Sequence, residues 1–174
     1  MKNYAFIDSQ NLNLGIRDAG WKLDYKKFFI YLREKYEVKK IFLFLGYIQS
    51  NKGLYEFLRK TGYKIIFKPT LERQNGVTKG NCDSELVLHC LIHTKKYSKA
   101  IIVSGDGDFY CLLKYLVNNK KLLKIGIPNK RKYSTLLRKF RPYFFYICDL
   151  KHKLEYKKRQ RVDKDETFHR ALPS

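Results

Sequence analysis

Six short apolar runs punctuate the chain: "YAFI" (4–7), "KIFLFLGY" (40–47), "YKIIFK" (63–68), "KAIIVS" (99–104), "LLKIGIP" (122–128) and "YFFYIC" (143–148). Between them lie longer stretches near 24–36, 51–61, 82–96 and 107–119, and a shorter one near 133–140, whose apolar residues recur at helical spacing. Most of the short runs are continuously hydrophobic instead of alternating, as strands covered on both faces must be. That alternation predicts βαβ units and an α/β fold with a mainly parallel central sheet. Gly62, shortly after Lys60, reads as a helix stop, and Pro69 closes a strand.

No internal repeat or low-complexity linker interrupts this pattern, so one domain is expected over 1–150, followed by a basic, partly flexible tail over 151–174. For that tail, a solvated terminus and a nucleic-acid arm are both open readings. The segment "LERQNGVTKGN" (71–81) reads as a polar loop ahead of a helix. Among the 174 residues, 44% are hydrophobic and 16% aromatic, enough to bury a core. No window reaches the roughly 18 uninterrupted apolar residues of a membrane span. The N-terminal apolar run is also too short for a secretion signal, so the cytoplasm is the expected compartment. Cys82, Cys90, Cys111 and Cys148 are widely spread with no CxxC pair, which speaks against a disulfide frame or zinc knuckle. They read as small buried hydrophobes.

Charge changes the picture. The formal net charge is +21, from 37 Lys and Arg against 16 Asp and Glu. The 40 residues from Phe109 to Cys148 hold 10 cations and no acid. Any single lysine there fits a solvated face, but the block as a whole fits a polyanion such as RNA or DNA. Its candidate contacts are Lys114, Lys130, Arg131, Lys132 and Arg138.

Against that background the few acids near strand ends stand out. Ligands of open parallel sheets bind beyond the carboxyl ends of the strands, where strand order reverses. Asp8 follows the first run, Asp106 and Asp108 follow the fourth across a Ser-Gly turn, and Asp83 opens the helix after the polar loop. Glu34, Glu37, Glu56 and Glu155 fall among lysines and read as surface residues. An isolated Asp before a helix is usually a cap. Two acids after one strand exceed one cap, however, and Asp8 lies where none is obviously wanted, with Asn11 better placed for that work. Crowded carboxylates repel unless a cation neutralises them, and hard oxygen donors select Mg²⁺ or Mn²⁺.

Other chemistries fit less well. "DGDFYCLLKYLV" opens like a calcium loop but carries Val117 where a bidentate Glu is required. "SGDGD" matches neither GxGxxG nor a Walker A loop. A DxD after a strand also suits haloacid dehalogenase phosphatases, yet Tyr110 stands where Thr or Val would follow. His89 and His93 share a helix face without a third partner, and read as ordinary helix residues.

Taken together, "AFIDSQN", "KGNCDSELVLHC" and "IIVSGDGDFYCLLKYL" resemble the NYN domain proteins of the LabA-like (DUF88) group, relatives of PIN-domain ribonucleases, over about residues 3–148. The resemblance implies a PIN-like doubly wound three-layer sandwich and metal-dependent cleavage of RNA. It implies that Asp8, Asp83, Asp106 and Asp108 hold one or two Mg²⁺ or Mn²⁺ ions, with Asn11 and Ser104 orienting ligands or the attacking water. Lys79, just before the acidic helix, would meet a phosphate. Many members carry a further acid six residues after the Asp83 position. Here it is His89, which serves Mg²⁺ poorly and bears on activity and metal preference. Three functions follow in order: an endoribonuclease, an RNA-binding or adaptor module with a weakened site, and a phosphatase acting through Asp106. The RNA and the oligomeric state are not legible.

Overall fold

The computed structural model describes residues 2–68 and 83–158, with the side chain of Asp83 excepted. Its strands are β1 (Asn3–Asp8), β2 (Val38–Gly46), β3 (Lys64–Lys68), β4 (Ala100–Val103), β5 (Leu122–Ile127) and β6 (Phe144–Tyr146). They form one sheet in the order β3-β2-β1-β4-β5-β6, and every neighbouring pair is parallel. The expectation of a mainly parallel sheet thus becomes a wholly parallel one among the described residues. The order reverses between β1 and β4, which places the switch point of the sheet at those two strand ends.

The connecting helices are α1 (Ser9–Asp18), α2 (Tyr25–Tyr36), α3 (Lys52–Thr61), α4 (Asp83–Ile92), α5 (Tyr110–Asn118) and α6 (Lys151–Leu154). A 3-10 segment spans Thr135–Tyr143. Helices cover both faces, and this is why the strand runs are continuously apolar. One layer seats Leu86 and Cys90 of α4 and Leu112, Leu113 and Leu116 of α5 on Tyr4, Phe6, Phe44 and Ile102. The other seats Leu12, Ile16, Phe28, Leu32 and Leu58 on Ala5, Ile7, Leu43 and Ile101. Central β4 is buried at all four positions, whereas β6, at the sheet edge, is only half-buried.

Helix α1 was not among the elements expected from the pattern. Its sequence, SQNLNLGIRD, offers just two buried apolar residues, Leu12 and Ile16, and carries a glycine. That glycine has a packing reason. A Cβ on Gly15 would stand 2.5 Å from Pro128 Cβ, so the helix approaches the end of β5 more closely than any side chain permits. The helix expected to run to 96 ends at Ile92, where Thr94 Oγ1 donates to the Leu91 carbonyl at 2.6 Å and the chain turns toward buried Tyr97. The start of the C-terminal segment packs onto the domain. Leu154 is buried, and its carbonyl accepts the Asp24 N–H at 2.8 Å.

Candidate active site at the β1–β4 switch point

On β1, even-numbered residues face the α4 and α5 layer, so Asp8 continues the row of Tyr4 and Phe6 one step past the apolar core. It is 5% exposed. Such a carboxylate must find donors, and two lie at hand. The Asn11 N–H donates to Oδ1 at 3.2 Å, and the Ser104 hydroxyl donates to Oδ2 at 3.3 Å. The first bond makes Asp8 the N-cap of α1. This corrects the expectation that no cap was wanted there and that Asn11 would supply it. Asn11 lies inside the helix and instead turns its Oδ1 to the Gly105 N–H at 2.8 Å.

The loop after β4 is fixed from both sides. Ser104 Oγ accepts the Asp106 N–H at 3.1 Å, and Asp106 Oδ1 accepts the Asp108 N–H at 3.0 Å. Asp106 therefore caps the short 3-10 turn Gly107–Phe109, which leads into α5. Asp108 is exposed. Burial, the largest influence, raises the Asp8 carboxyl above its ordinary 3.8, helped by the charge of Asp106 and opposed by the Asn11 bond, Lys68 and Ser104. Asp8 and Asp106 thus repel each other across the strand ends.

Of the four expected acids, Asp8 and Asp106 are linked through Ser104, and Asp108 follows on the same turn. Asp83 opens α4, three residues before buried Leu86, with its carboxylate outside the described residues, as is Lys79. Among the described residues, no group of three or more His, Cys, Asp or Glu side chains is gathered tightly enough to hold a metal ion. The donor chemistry nonetheless fits a hard cation. The acceptors are all oxygens, and a nearly buried carboxylate beside a second one favours a positive partner.

Sequence reasoning missed Lys68. It ends β3, on the same sheet face as Asp8, and is 4% exposed. Ile66 pairs with Phe44, which pairs with Asp8, so Lys68 stands two residues further along toward the carboxyl edge. A lysine that finishes an apolar parallel strand before a proline was the available signal, since that position opens on the crevice. His89 is half-buried. Its ring lies 5.5 Å from Phe44 and 5.9 Å from His93, and its Nδ1 has no partner among the described residues.

The basic block is bound to the acidic loop. Ser134 donates its N–H to the Gly105 carbonyl at 2.9 Å, and a Cβ on Gly107 would collide with Ser134 Oγ. The glycines of "SGDGD" therefore make room for this segment. Along the 3-10 segment, Leu137 and Phe140 turn inward while Arg138, Lys139 and Arg141 stay exposed. Lys114 and Arg131 are exposed as well. Lys130 pairs with Asp149 at 2.7 Å and Lys132 with Asp18 at 2.9 Å, so part of the block's charge is offset.

Cysteine burial is mixed. Cys90 is buried, and loss of water pushes its thiol up to about 12, whereas Cys148 is half-buried and Cys111 exposed, contrary to expectation. Cys82 lies outside the described residues. No helix among the described residues is long and apolar enough to cross a membrane.

Comparison with known proteins bears on this arrangement. The NYN domain family model matches residues 4–148. The low amplitude and bright protein LabA of Synechococcus elongatus is 25% identical over 114 residues, covering 60% of this chain and 61% of its own length. The chain thus spans about three fifths of that relative. A crystal structure of a protein of unknown function from Vibrio parahaemolyticus superposes with a TM-score of 0.70 at 25% identity, covering 84% of this chain and 92% of the other.

Proposed function

The chain belongs to the NYN domain family, and from that membership we propose that it is a divalent-metal-dependent endoribonuclease cutting RNA phosphodiester bonds at the β1–β4 switch point. The observation that carries the reading is the bridge from Asp8 through Ser104 to Asp106, which ties two repelling acidic positions to the ends of neighbouring strands.

In this reading Asp8, Asp83, Asp106 and Asp108 hold Mg²⁺ or Mn²⁺. The bound cation supplies Lewis acidity and a water of lowered pKa. The protein's own part is positional. Asn11 and Ser104 hold Asp8 and the Gly105–Asp106 backbone in one arrangement, so little reorganisation is needed when charge develops on the phosphate. Lys114, Arg131 and Arg138, with the partly offset Lys130 and Lys132, attract the polyanion, and Lys79 meets a phosphate.

One observation favours a second reading, an RNA-binding or adaptor module with a weakened site. His89, standing where many relatives carry an acid, is packed among Phe42, Phe44 and His93 instead of offering a carboxylate. Labelled RNA incubated with Mg²⁺, Mn²⁺ or EDTA decides between them. The nuclease reading expects metal-dependent cleavage that falls by about 100-fold or more in Asp106→Asn, a variant that keeps the cap. Equal cleavage by both proteins, or none with any metal, sinks it. Metal-independent RNA binding without cleavage supports the adaptor.

A further inference from the structure

We propose that a basic groove along the β3 edge is a second nucleic-acid contact, built for the phosphates of single-stranded RNA and separate from the carboxylate site. The inference rests on the RNA reading above. The groove has a volume of about 500 Å³ and is formed by β2, β3, the turn after α3 and the turn after α4. Its cationic lining is Lys40, Arg59 and Lys64, joined by His93, and no carboxylate lines it among the described residues. Among the described residues β3 stands at the end of the sheet order, so the groove follows the sheet edge.

Two of the cations are steadied by aromatic rings. Lys40 Nζ lies 5.5 Å from the centre of Tyr4, and Arg59 Cζ lies 5.6 Å from that of Phe67. Their positions are thus partly fixed before a ligand arrives, which lowers the entropy lost on binding. A concave wall with positive charge and no acid concentrates the field on an anion. The half-exposed His93 ring, backed by Phe42 at 5.0 Å, offers a base a stacking face. Cations with a ring beside them suit a strand carrying both phosphates and bases better than a protein acid patch.

The groove also lies within reach of the proposed cutting site. Phe42 and Lys40 stand two and four residues below Phe44, the partner of Asp8 on β2. At about 3.3 Å per residue that is roughly 7–13 Å along the strand, a few nucleotides of RNA. A strand held in the groove would run toward the carboxyl edge.

The test measures binding in EDTA, so it does not depend on cleavage. Fluorescence anisotropy of a labelled single-stranded RNA of about 20 nucleotides is compared for wild type and for Lys40→Glu/Arg59→Glu/Lys64→Glu. A control, Lys22→Glu/Lys26→Glu/Lys153→Glu, removes equal charge from exposed positions that do not line the groove. The groove variant is expected to bind about tenfold or more weakly, with a log–log salt slope shallower by about 2, as three phosphates left without a cation imply. The control is expected to weaken by under about threefold. Replacement by Gln at the same three sites gives the same slope change and guards against misfolding from charge reversal. Equal weakening in groove and control variants overturns the proposal. A groove-specific effect in a protein that cleaves nothing keeps the groove and removes the nuclease.

Discussion

Asp8 sits where burial and function pull in opposite directions. Its ionised form is disfavoured by loss of water and by Asp106, and the two long hydrogen bonds from Asn11 and Ser104 and the charge of Lys68 compensate in part. A carboxyl raised in the folded state contributes stability that is complete below its unfolded value and lost as pH rises through the folded one. Asp8→Asn keeps a capping oxygen and removes the charge. In chelator, the variant should match wild type below pH 3.8 and become more stable than it as pH rises above that value. Each kcal/mol gained would appear as about 2–4 °C in Tm. Added Mn²⁺ should raise Tm for wild type and much less for the variant; a variant that melts lower than wild type at neutral pH refutes this account. Alkylation separates the thiols in the same way, with Cys111 modified early and Cys90 protected until unfolding, as mass spectrometry of a time course would show. Such details were only partly legible. Position after a strand marked Asp8, Asp106 and Asp108, but the cap at Asp8 depended on a helix that the pattern hid. The burial of Lys68 depended on which strand end it finished.

The loop between β4 and α5 behaves as one unit with the basic segment that follows β5. Gly107 is buried and touches Ser134, so Gly107→Ala forces the two apart at a cost of about 1–3 kcal/mol. Thermal melts should show this loss, and Ser134→Gly in the same chain should recover part of it. No recovery would mean that the contact is incidental. Periodicity located the strands and most helices well because double coverage leaves continuous apolar runs that few alternatives imitate. It failed at α1, where Asn13 and Gly15 break the stripe and close approach to Pro128 replaces side-chain packing. It also could not foresee that 135–143 coils as 3-10, where Pro142 lies inside the segment.

For the whole molecule, the opposition of signs becomes a division of space. Asp8 and Asp106 meet at the switch point, and cations rise beside them on a segment fastened to the acidic loop. RNA affinity should therefore fall steeply with salt. Arg131→Ala and Arg138→Ala should each weaken binding across sequences and lower the salt slope by about 1 for each phosphate that no longer meets a cation. Unchanged slopes would place the RNA elsewhere. The parallel architecture was readable from the βα alternation, whereas the pairing of Lys130 and Lys132 with Asp149 and Asp18 was not, since those acids come from outside the basic block. The strand order has a consequence for how the molecule is made. β1, β2 and β3 can pair as soon as they are synthesised, yet Asp8 reaches Ser104 across 96 residues of chain. Until β4 docks, β1 is an apolar border without a neighbour, open to aggregation. Docking of β4 brings Ser104 and Asp106 to Asp8 and moves the border outward, to be finished by β5 and the half-buried β6, so on the nuclease reading a half-made chain would be sticky but harmless to RNA.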